Sequence, residues 1–437
     1  MRIHCTRLLL LTTLLLGVCS AASAQCRESN AEPDRFQASG AIYRIYLPEL
    51  PCWNGDLVIY AHGYVAPNEP LAIPEDQLQV PGGLSIPAIV NALGYAFAVT
   101  SYATNGLAIV PALADVRDLV DVFNSAHPRA RFVYLVGASE GGLVTTLALE
   151  RFPFLFNAGL AACGPIGDFR AQLNHFGDFR VIFDYFFPGL LPGNPFQIPP
   201  ELIENWESVY IPKIRAAIAA HPGRTDQLLR VTQALVGSDP ATREQTILGL
   251  LRYNVFATND ARTKLGGLSY DNTRTLYVGS ANDLLLNLTV PRFAPDAAAI
   301  AEVEANYQTT GILVSPLVTI HTTGDPIVPY AHEFLYTLKT RRAGSSLQRA
   351  NLPIVRYGHC RFTPLEVVIG FALMVSRATG QEPAGVSTLM EAAARKGRPL
   401  SLVEQPGSSA ILSTPRRSEQ PANPTPDTID FLRLNAQ

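Results

Sequence analysis

The stretch VYLVGASEGG, residues 133–142, runs from an apolar strand pattern through Gly-x-Ser-x-Gly into a helical pattern. A serine on so sharp a turn needs a strained backbone, and side chains at the flanking positions would collide with neighbouring chain. Gly137 and Gly141 therefore predict a nucleophile elbow that exposes the Ser139 hydroxyl at the carboxyl end of the strand. An ordinary Gly-rich turn is the alternative, but the strand before it and the helix after it favour a reactive serine.

A serine hydroxyl is a weak nucleophile until a base takes its proton, so the elbow predicts a histidine partner later in the chain. His359 lies between the predicted last strand, residues 352–357, and the last strong helical pattern, where a loop would present it. His62 belongs to another motif and His332 lies in a helical segment. We therefore expect His359 to be the base.

The histidine needs a carboxylate to orient it, and Asp325 is the best candidate. An apolar strand, residues 317–321, ends just before it, and 34 residues separate it from His359. This carboxylate would hold the imidazole tautomer and stabilise the imidazolium. Two rivals are Asp168, also a candidate helix N-cap or hinge, and Asp283, which lies inside a long insertion.

Acyl transfer also needs backbone N–H groups that bind the developing oxyanion. The residue after the nucleophile, Glu140, would supply one. Tyr64, which follows a His-Gly pair after the predicted strand 56–61, is the best candidate for the second. A plain loop is the alternative for this segment.

Apolar runs of strand length alternate with helical patterns along most of the chain, which predicts parallel βαβ units and an α/β fold. An alternating segment, 41–47, precedes them as an antiparallel strand. The remaining predicted strands are 56–61, 96–100, 131–136, 158–162, 317–321 and 352–357, and the helical patterns are 86–93, 112–126, 141–151 and 363–377.

One interval, residues 164–311, is far longer than a crossover between neighbouring strands requires. We interpret it as an inserted, mainly helical cap. Its first part, residues 176–196, is dense in phenylalanine, which suits either an apolar cavity or the core of the cap itself.

With these motifs, the chain resembles the α/β-hydrolase superfamily over residues 56–163 and 312–377. The resemblance implies a mostly parallel eight-stranded sheet with helices on both faces and a helical cap inserted between strands 6 and 7. It also implies hydrolysis through an acyl-enzyme on Ser139, with no metal and no organic cofactor.

A finer resemblance concerns His359-Cys360, which is similar to the His-Cys pair of tannase and feruloyl-esterase-like hydrolases. In that family a disulfide ties the base loop to a cysteine before the nucleophile, a position that is Ala138 here. Cys163 is a possible substitute, which implies the pairing Cys163–Cys360, with Cys26–Cys52 at the N-terminus. The alternative for Cys163 and Cys360 is two free buried thiols.

The N-terminus has the pattern of a secretory signal peptide: Arg2 and Arg7, an apolar run at 8–18, and Ala-Ser-Ala at 22–24. A lipoprotein attached through Cys19 is the alternative. We expect a secreted or periplasmic protein with no membrane span after this segment.

The predicted parts of the chain are a signal peptide at 1–24, a catalytic domain at 25–163 and 312–396, a cap at 164–311, and an extended or disordered tail at 397–437.

Charge is sparse: 16% of residues are charged, against about 25% in an average soluble protein. The basic residues are scattered and the net charge is −3, so nucleic acid is not an expected partner.

We expect a hydrolase for small carboxylic esters of neutral apolar or aromatic character. A serine peptidase or amidase, anchored through Glu140, Asp168 or Arg170, and a catalytically silent binding protein are the alternatives.

Overall fold

The computed structural model describes residues 31–49, 51–80, 83–383 and 386–387. The predicted signal peptide, Cys26 and the predicted tail lie outside the described residues. Within the described part of the chain, no helix is both long and apolar enough to cross a membrane.

Eight strands form one central sheet. Each of the predicted strands occurs, with bounds that differ by a few residues, and a two-residue edge strand precedes them. The strands are β1 (Arg35–Phe36), β2 (Ile42–Tyr46), β3 (Leu57–Ala61), β4 (Ala96–Thr100), β5 (Val133–Ala138), β6 (Ala158–Ala162), β7 (Leu317–Gly324) and β8 (Arg349–Tyr357).

The strand order is β1-β2-β4-β3-β5-β6-β7-β8. β2 pairs antiparallel with β1 and β4, and all pairs from β4 onward are parallel. Because β3 and β5 lie at the centre, the loops after both strands meet at one edge of the sheet. The mostly parallel eight-stranded sheet predicted from the sequence is confirmed.

Helices cover both faces of the sheet because alternate side chains of each buried strand point to opposite faces. Leu57 and Ile59 of β3 pack with the helices of one face, and Val58 and Tyr60 pack with those of the other. One layer contains α2 (Ile109–Ala126) and α3 (Glu140–Arg151), and the other contains α1 (Ile86–Ala92) and α12 (Pro364–Thr379).

The interval between β6 and β7 is mainly helical. It contains α4 (Phe169–Phe186), α5 (Pro200–Glu204), a π-helix (Trp206–Tyr210), α6 (Ile211–Ala220), α7 (Pro222–Val231), α8 (Ala241–Leu265), α9 (Asp283–Thr289) and α10 (Ala297–Asn306); α11 (Ala331–Arg342) follows β7. Phe179, Phe183 and Phe187 pack in a separate apolar core of this interval. Most of its phenylalanines therefore stabilise the insertion itself.

Candidate active site

Ser139 occupies the turn between β5 and α3. Its backbone has φ +57° and ψ −119°, a conformation that a residue with a side chain rarely adopts. The Ser139 amide donates a hydrogen bond of 2.8 Å to the carbonyl of Ala162 at the end of β6. The neighbouring strand therefore holds the strained residue in place.

The two glycines of the elbow allow close approach of three backbone segments. A Cβ at Gly137 would overlap the carbonyl of Gly141, and a Cβ at Gly141 would overlap the carbonyl of Ala61 at the end of β3. Both obstacles are backbone atoms, which cannot rotate away as a side chain can. The packing at both positions therefore excludes a side chain, as expected from the sequence.

The three residues proposed from sequence meet in one hydrogen-bonded chain. Ser139 Oγ lies 2.8 Å from His359 Nε2, and His359 Nδ1 lies 2.7 Å from Asp325 Oδ2. Since the carboxylate can only accept, Nδ1–H donates to it and Nε2 is left to accept the serine proton. Asp325 is fully buried, whereas the His359 side chain is 17% exposed.

Asp325 is held in one orientation by its second oxygen, Oδ1, which accepts the amides of Ile327 and Val328 at 2.9 and 3.0 Å. Burial works to raise the pKa of this carboxyl. The nearby imidazoles of His359 and His321 outweigh burial and hold that pKa well below its usual range. The group is therefore a carboxylate at neutral pH.

Neither rival carboxylate pairs with His359. Asp168 is the N-cap of α4, where Oδ1 accepts the amides of Arg170 and Ala171. Asp283 accepts the amide and hydroxyl of Ser280 inside the insertion. Both side chains have local structural partners.

The loop after β3 lies against the nucleophile. A Cβ built at Gly63 would lie 3.2 Å from Ser139 Cβ, and the Gly63 amide donates to Gln77 Oε1 at 2.7 Å. Gln77 Nε2 donates in turn to the carbonyl of Tyr64 at 3.3 Å. In the described part of the chain, the amides of Tyr64 and Glu140 donate to no protein acceptor.

The Glu140 side chain points into the protein. Its Oε1 accepts the Ala108 amide at 2.7 Å, at the start of α2. Burial raises the pKa of this carboxyl to about 8, although the Ala108 amide favours the charged form. Glu140 therefore offers its backbone amide beside the nucleophile, while its carboxyl has a structural contact.

Tyr253 of α8 is an aromatic neighbour of the site that sequence reasoning missed. Its ring stacks on Phe176 at 5.0 Å and lies 5.6 Å from the Tyr64 ring. Burial raises its pKa to about 12, and the nearby Ser139 hydroxyl acts in the opposite direction. Nothing in the helical pattern around Tyr253 distinguishes it from a core residue, so no sequence signal could have identified it.

A small cavity of about 50 Å³ lies between α4 and α8. Its apolar lining includes Leu173, Phe176, Phe196, Tyr253 and Ala257. Phe176 and Phe196 are thus the phenylalanines of the segment 176–196 that line this space. All residues that line this cavity belong to the insertion.

Cys163 and Cys360 form a disulfide that joins residues 197 positions apart, with their Cα atoms 5.4 Å apart. Cys360 Sγ lies 3.6 Å from His359 Nε2. The bridge therefore ties the loop of the histidine to the end of β6. These two sulfurs and His359 also cluster as three potential metal ligands, but a disulfide provides no thiolate for a metal. Because Cys26 lies outside the described residues, the pairing Cys26–Cys52 stays a prediction.

No protein-family model and no curated protein matches the sequence. Among solved structures, the chain is similar to an acylaminoacyl peptidase of Pyrococcus horikoshii, with 11% identity over 84% of this chain and 45% of that chain and a TM-score of 0.43. It is also similar to feruloyl esterase B of Aspergillus oryzae, with 14% identity, 80% of each chain and a TM-score of 0.42. For an esterase of Pyrococcus furiosus the identity is 10%, over 82% of this chain and 92% of that chain, with a TM-score of 0.41.

The chain spans less than half the length of the peptidase. Likeness at this distance says nothing about the reaction or the substrate. The central sheet with helices on both faces, and the strand–turn–helix geometry at Ser139, show that the chain has the α/β-hydrolase fold.

Proposed function

We propose that the protein is a serine hydrolase that cleaves carboxylic esters of neutral, apolar or aromatic character through an acyl-enzyme on Ser139. The observation that supports this most directly is the hydrogen-bonded chain from Ser139 Oγ through the His359 ring to Asp325 Oδ2. A serine and histidine at 2.8 Å are within reach for direct proton transfer.

In the acylation step, His359 Nε2 takes the proton of Ser139 Oγ as that oxygen attacks the ester carbonyl. The carbonyl oxygen becomes an oxyanion, which the amides of Tyr64 and Glu140 bind. The tetrahedral intermediate then collapses, and His359 gives its proton to the departing alkoxide. Asp325 stays ionised throughout and stabilises the imidazolium.

In the deacylation step, His359 takes a proton from water, and the resulting hydroxide attacks the acyl carbonyl. The same two amides bind the second oxyanion. Collapse of this intermediate returns the proton to Ser139 Oγ and releases the carboxylic acid.

Esters are favoured over peptides because each of the three side chains that the sequence offers as an anchor for a peptide terminus has another partner. The Glu140 carboxyl accepts the Ala108 amide, and Asp168 caps α4. Arg170 pairs with Glu304 at 3.6 Å. The aromatic rings of Phe176 and Tyr253 leave an apolar environment that suits an uncharged group.

Export is part of the same proposal. It rests on the signal-peptide pattern of residues 1–24 in the sequence and is compatible with the Cys163–Cys360 disulfide, since such bonds persist in oxidising compartments. Expression with residues 1–24 intact, followed by N-terminal sequencing of the exported protein, should give a chain that begins at Gln25. An unprocessed N-terminus would contradict export by this route.

The catalytic proposal is tested with Ser139→Ala and the matched control Ser125→Ala, whose hydroxyl only contacts Val122 at the exposed end of α2. Both proteins are assayed with p-nitrophenyl acetate, butyrate and benzoate and with aminoacyl p-nitroanilides. We expect ester turnover by the wild type and Ser125→Ala, none by Ser139→Ala, and at most weak anilide turnover. Faster anilide turnover would favour the peptidase alternative, and no turnover with normal folding would favour a binding protein.

A further inference from the structure

His321 lies on β7 directly behind the proposed acid and is fully buried. Its Nε2 is 2.9 Å from the carbonyl of Val328 and 3.5 Å from Asp325 Oδ2. Its Nδ1 is 3.2 Å from Oε1 of Glu333, which lies on α11. The imidazole therefore bridges two carboxylates, one of which contacts His359.

Its partners require a proton on each ring nitrogen. A carbonyl only accepts, so Nε2 carries a hydrogen toward Val328. Glu333 Oε2 accepts from Arg349 and from the Thr319 hydroxyl, contacts that keep this buried carboxyl ionised. An ionised Glu333 also only accepts, so Nδ1 carries the second hydrogen.

We propose that His321 is a positioning residue for the triad: as an imidazolium between Glu333 and Asp325, it fixes the orientation of Asp325 and opposes positive charge on His359. The inference rests on the proposed function, because it assigns a partner to the proposed acid. Although burial alone would lower it, hydrogen bonds to Asp325 and Glu333 raise the pKa of His321 to about 9.

The charged and titratable groups around His321 come from several elements. They are Asp325 after β7, Tyr330 before α11, whose ring lies 5.6 Å from the imidazole, Glu333 and His332 of α11, Arg349 of β8, His359 after β8, and His175 of α4, whose Nε2 contacts the carbonyl of Pro326. Burial keeps His175 and His332 neutral by lowering their pKa values. At neutral pH, two carboxylates thus face two cations, Arg349 and His321, before His359 takes a proton.

This arrangement affects His359 because both imidazoles approach the same oxygen, Asp325 Oδ2. A fixed cation on one side of the carboxylate makes a second cation on the other side less favourable. The charge on His321 therefore offsets part of the attraction between Asp325 and an imidazolium at His359. The acidic limb of kcat/KM for the ester substrate reports protonation of the essential base in the free enzyme.

The kinetic test compares His321→Gln and His321→Asn with His332→Gln, a control histidine that is equally buried but contacts Gln172 and the amides of Gly167 and Asp168. We expect the acidic limb to move upward by roughly one pH unit in both His321 variants and to stay in place in His332→Gln. A lower kcat with an unmoved limb in both His321 variants would mean a merely structural role and would overturn the proposal.

A second measurement is independent of activity. In ¹⁵N-histidine-labelled Ser139→Ala protein at pH 7.5, the His321 ring should give the nitrogen shifts of a doubly protonated imidazolium. Adding Glu333→Gln should return it to a singly protonated ring. A neutral His321 ring in Ser139→Ala would overturn the inference even if the wild type cleaves esters. A charged ring in Ser139→Ala, together with a wild type that cleaves no ester, would leave only the proposed function in error.

Discussion

Ser139 and His359 are separated by 220 positions in the sequence and joined by a hydrogen bond of 2.8 Å between Oγ and Nε2. Three structures hold this pair together: the elbow after β5, the loop after β8, and the Cys163–Cys360 disulfide beside the histidine. Each of these features helps to hold the two side chains together, and a substitution can remove each one separately.

Asp325→Asn should lower kcat by about three to four orders of magnitude, because the amide leaves His359 in the wrong tautomer and without a counter-charge. The matched control is Asp168→Asn, since asparagine caps a helix as well as aspartate does. Steady-state kinetics with a p-nitrophenyl ester measure both variants. Equal activity in the two variants would remove Asp325 from the proposed triad.

Gly141→Ala should destabilise the fold by at least about 2 kcal/mol, because the new Cβ would overlap the backbone carbonyl of Ala61. Gly223→Ala is the control, since a Cβ there meets nothing within 4 Å and the residue lies in α7. Chemical denaturation measures the free energy of unfolding of each variant. A Gly141→Ala protein as stable as Gly223→Ala would contradict the close backbone packing at the elbow.

Replacing both Cys163 and Cys360 by alanine should lower the free energy of unfolding by about 2–5 kcal/mol, because the long loop is no longer closed in the unfolded state. The midpoint of thermal unfolding is measured with and without reductant. We expect reductant to lower the midpoint of the wild type more than that of the double variant. The same shift in both proteins would show that this bridge contributes nothing.

Glu140→Gln should change how stability depends on pH. Burial raises the pKa of this carboxyl from its unfolded value of 4.5 to about 8 in the folded protein. The folded state therefore keeps a proton that the unfolded state releases, and stability falls as the pH rises from 4.5 through about 8. Thermal unfolding between pH 4.5 and 9 should show a smaller fall in Glu140→Gln, and parallel curves would contradict a buried, protonated carboxyl.

Much of the site could be predicted from sequence because its signals are local. Gly137 has a steric reason within a few residues of Ser139, because a Cβ there would overlap the carbonyl of Gly141, and Asp325 follows an apolar strand. The parallel strands could be predicted because both of their faces are buried, which requires nearly continuous apolar runs such as β3 and β4.

Other contributors have no local signal. Tyr253 lies in a helix whose pattern only predicts packing, and its place beside Tyr64 and Phe176 depends on how α8 packs against α4. His321 precedes Asp325 by four positions, but its charge depends on Glu333 and Arg349, which α11 and β8 bring to the same buried space.

By itself, the sequence determined the α/β class, the elbow at Ser139, and the choice of His359 and Asp325 as its proposed partners, because the steric needs of a turn and the burial of a strand act on neighbouring residues. The tertiary structure alone decided that Asp168 and Asp283 have other partners, that Cys163 pairs with Cys360, and that His321 lies behind the acid. That Asp325 rather than Asp168 or Asp283 contacts His359, and that Cys163 meets Cys360, depends on distances between segments far apart in the chain, which only the tertiary packing establishes.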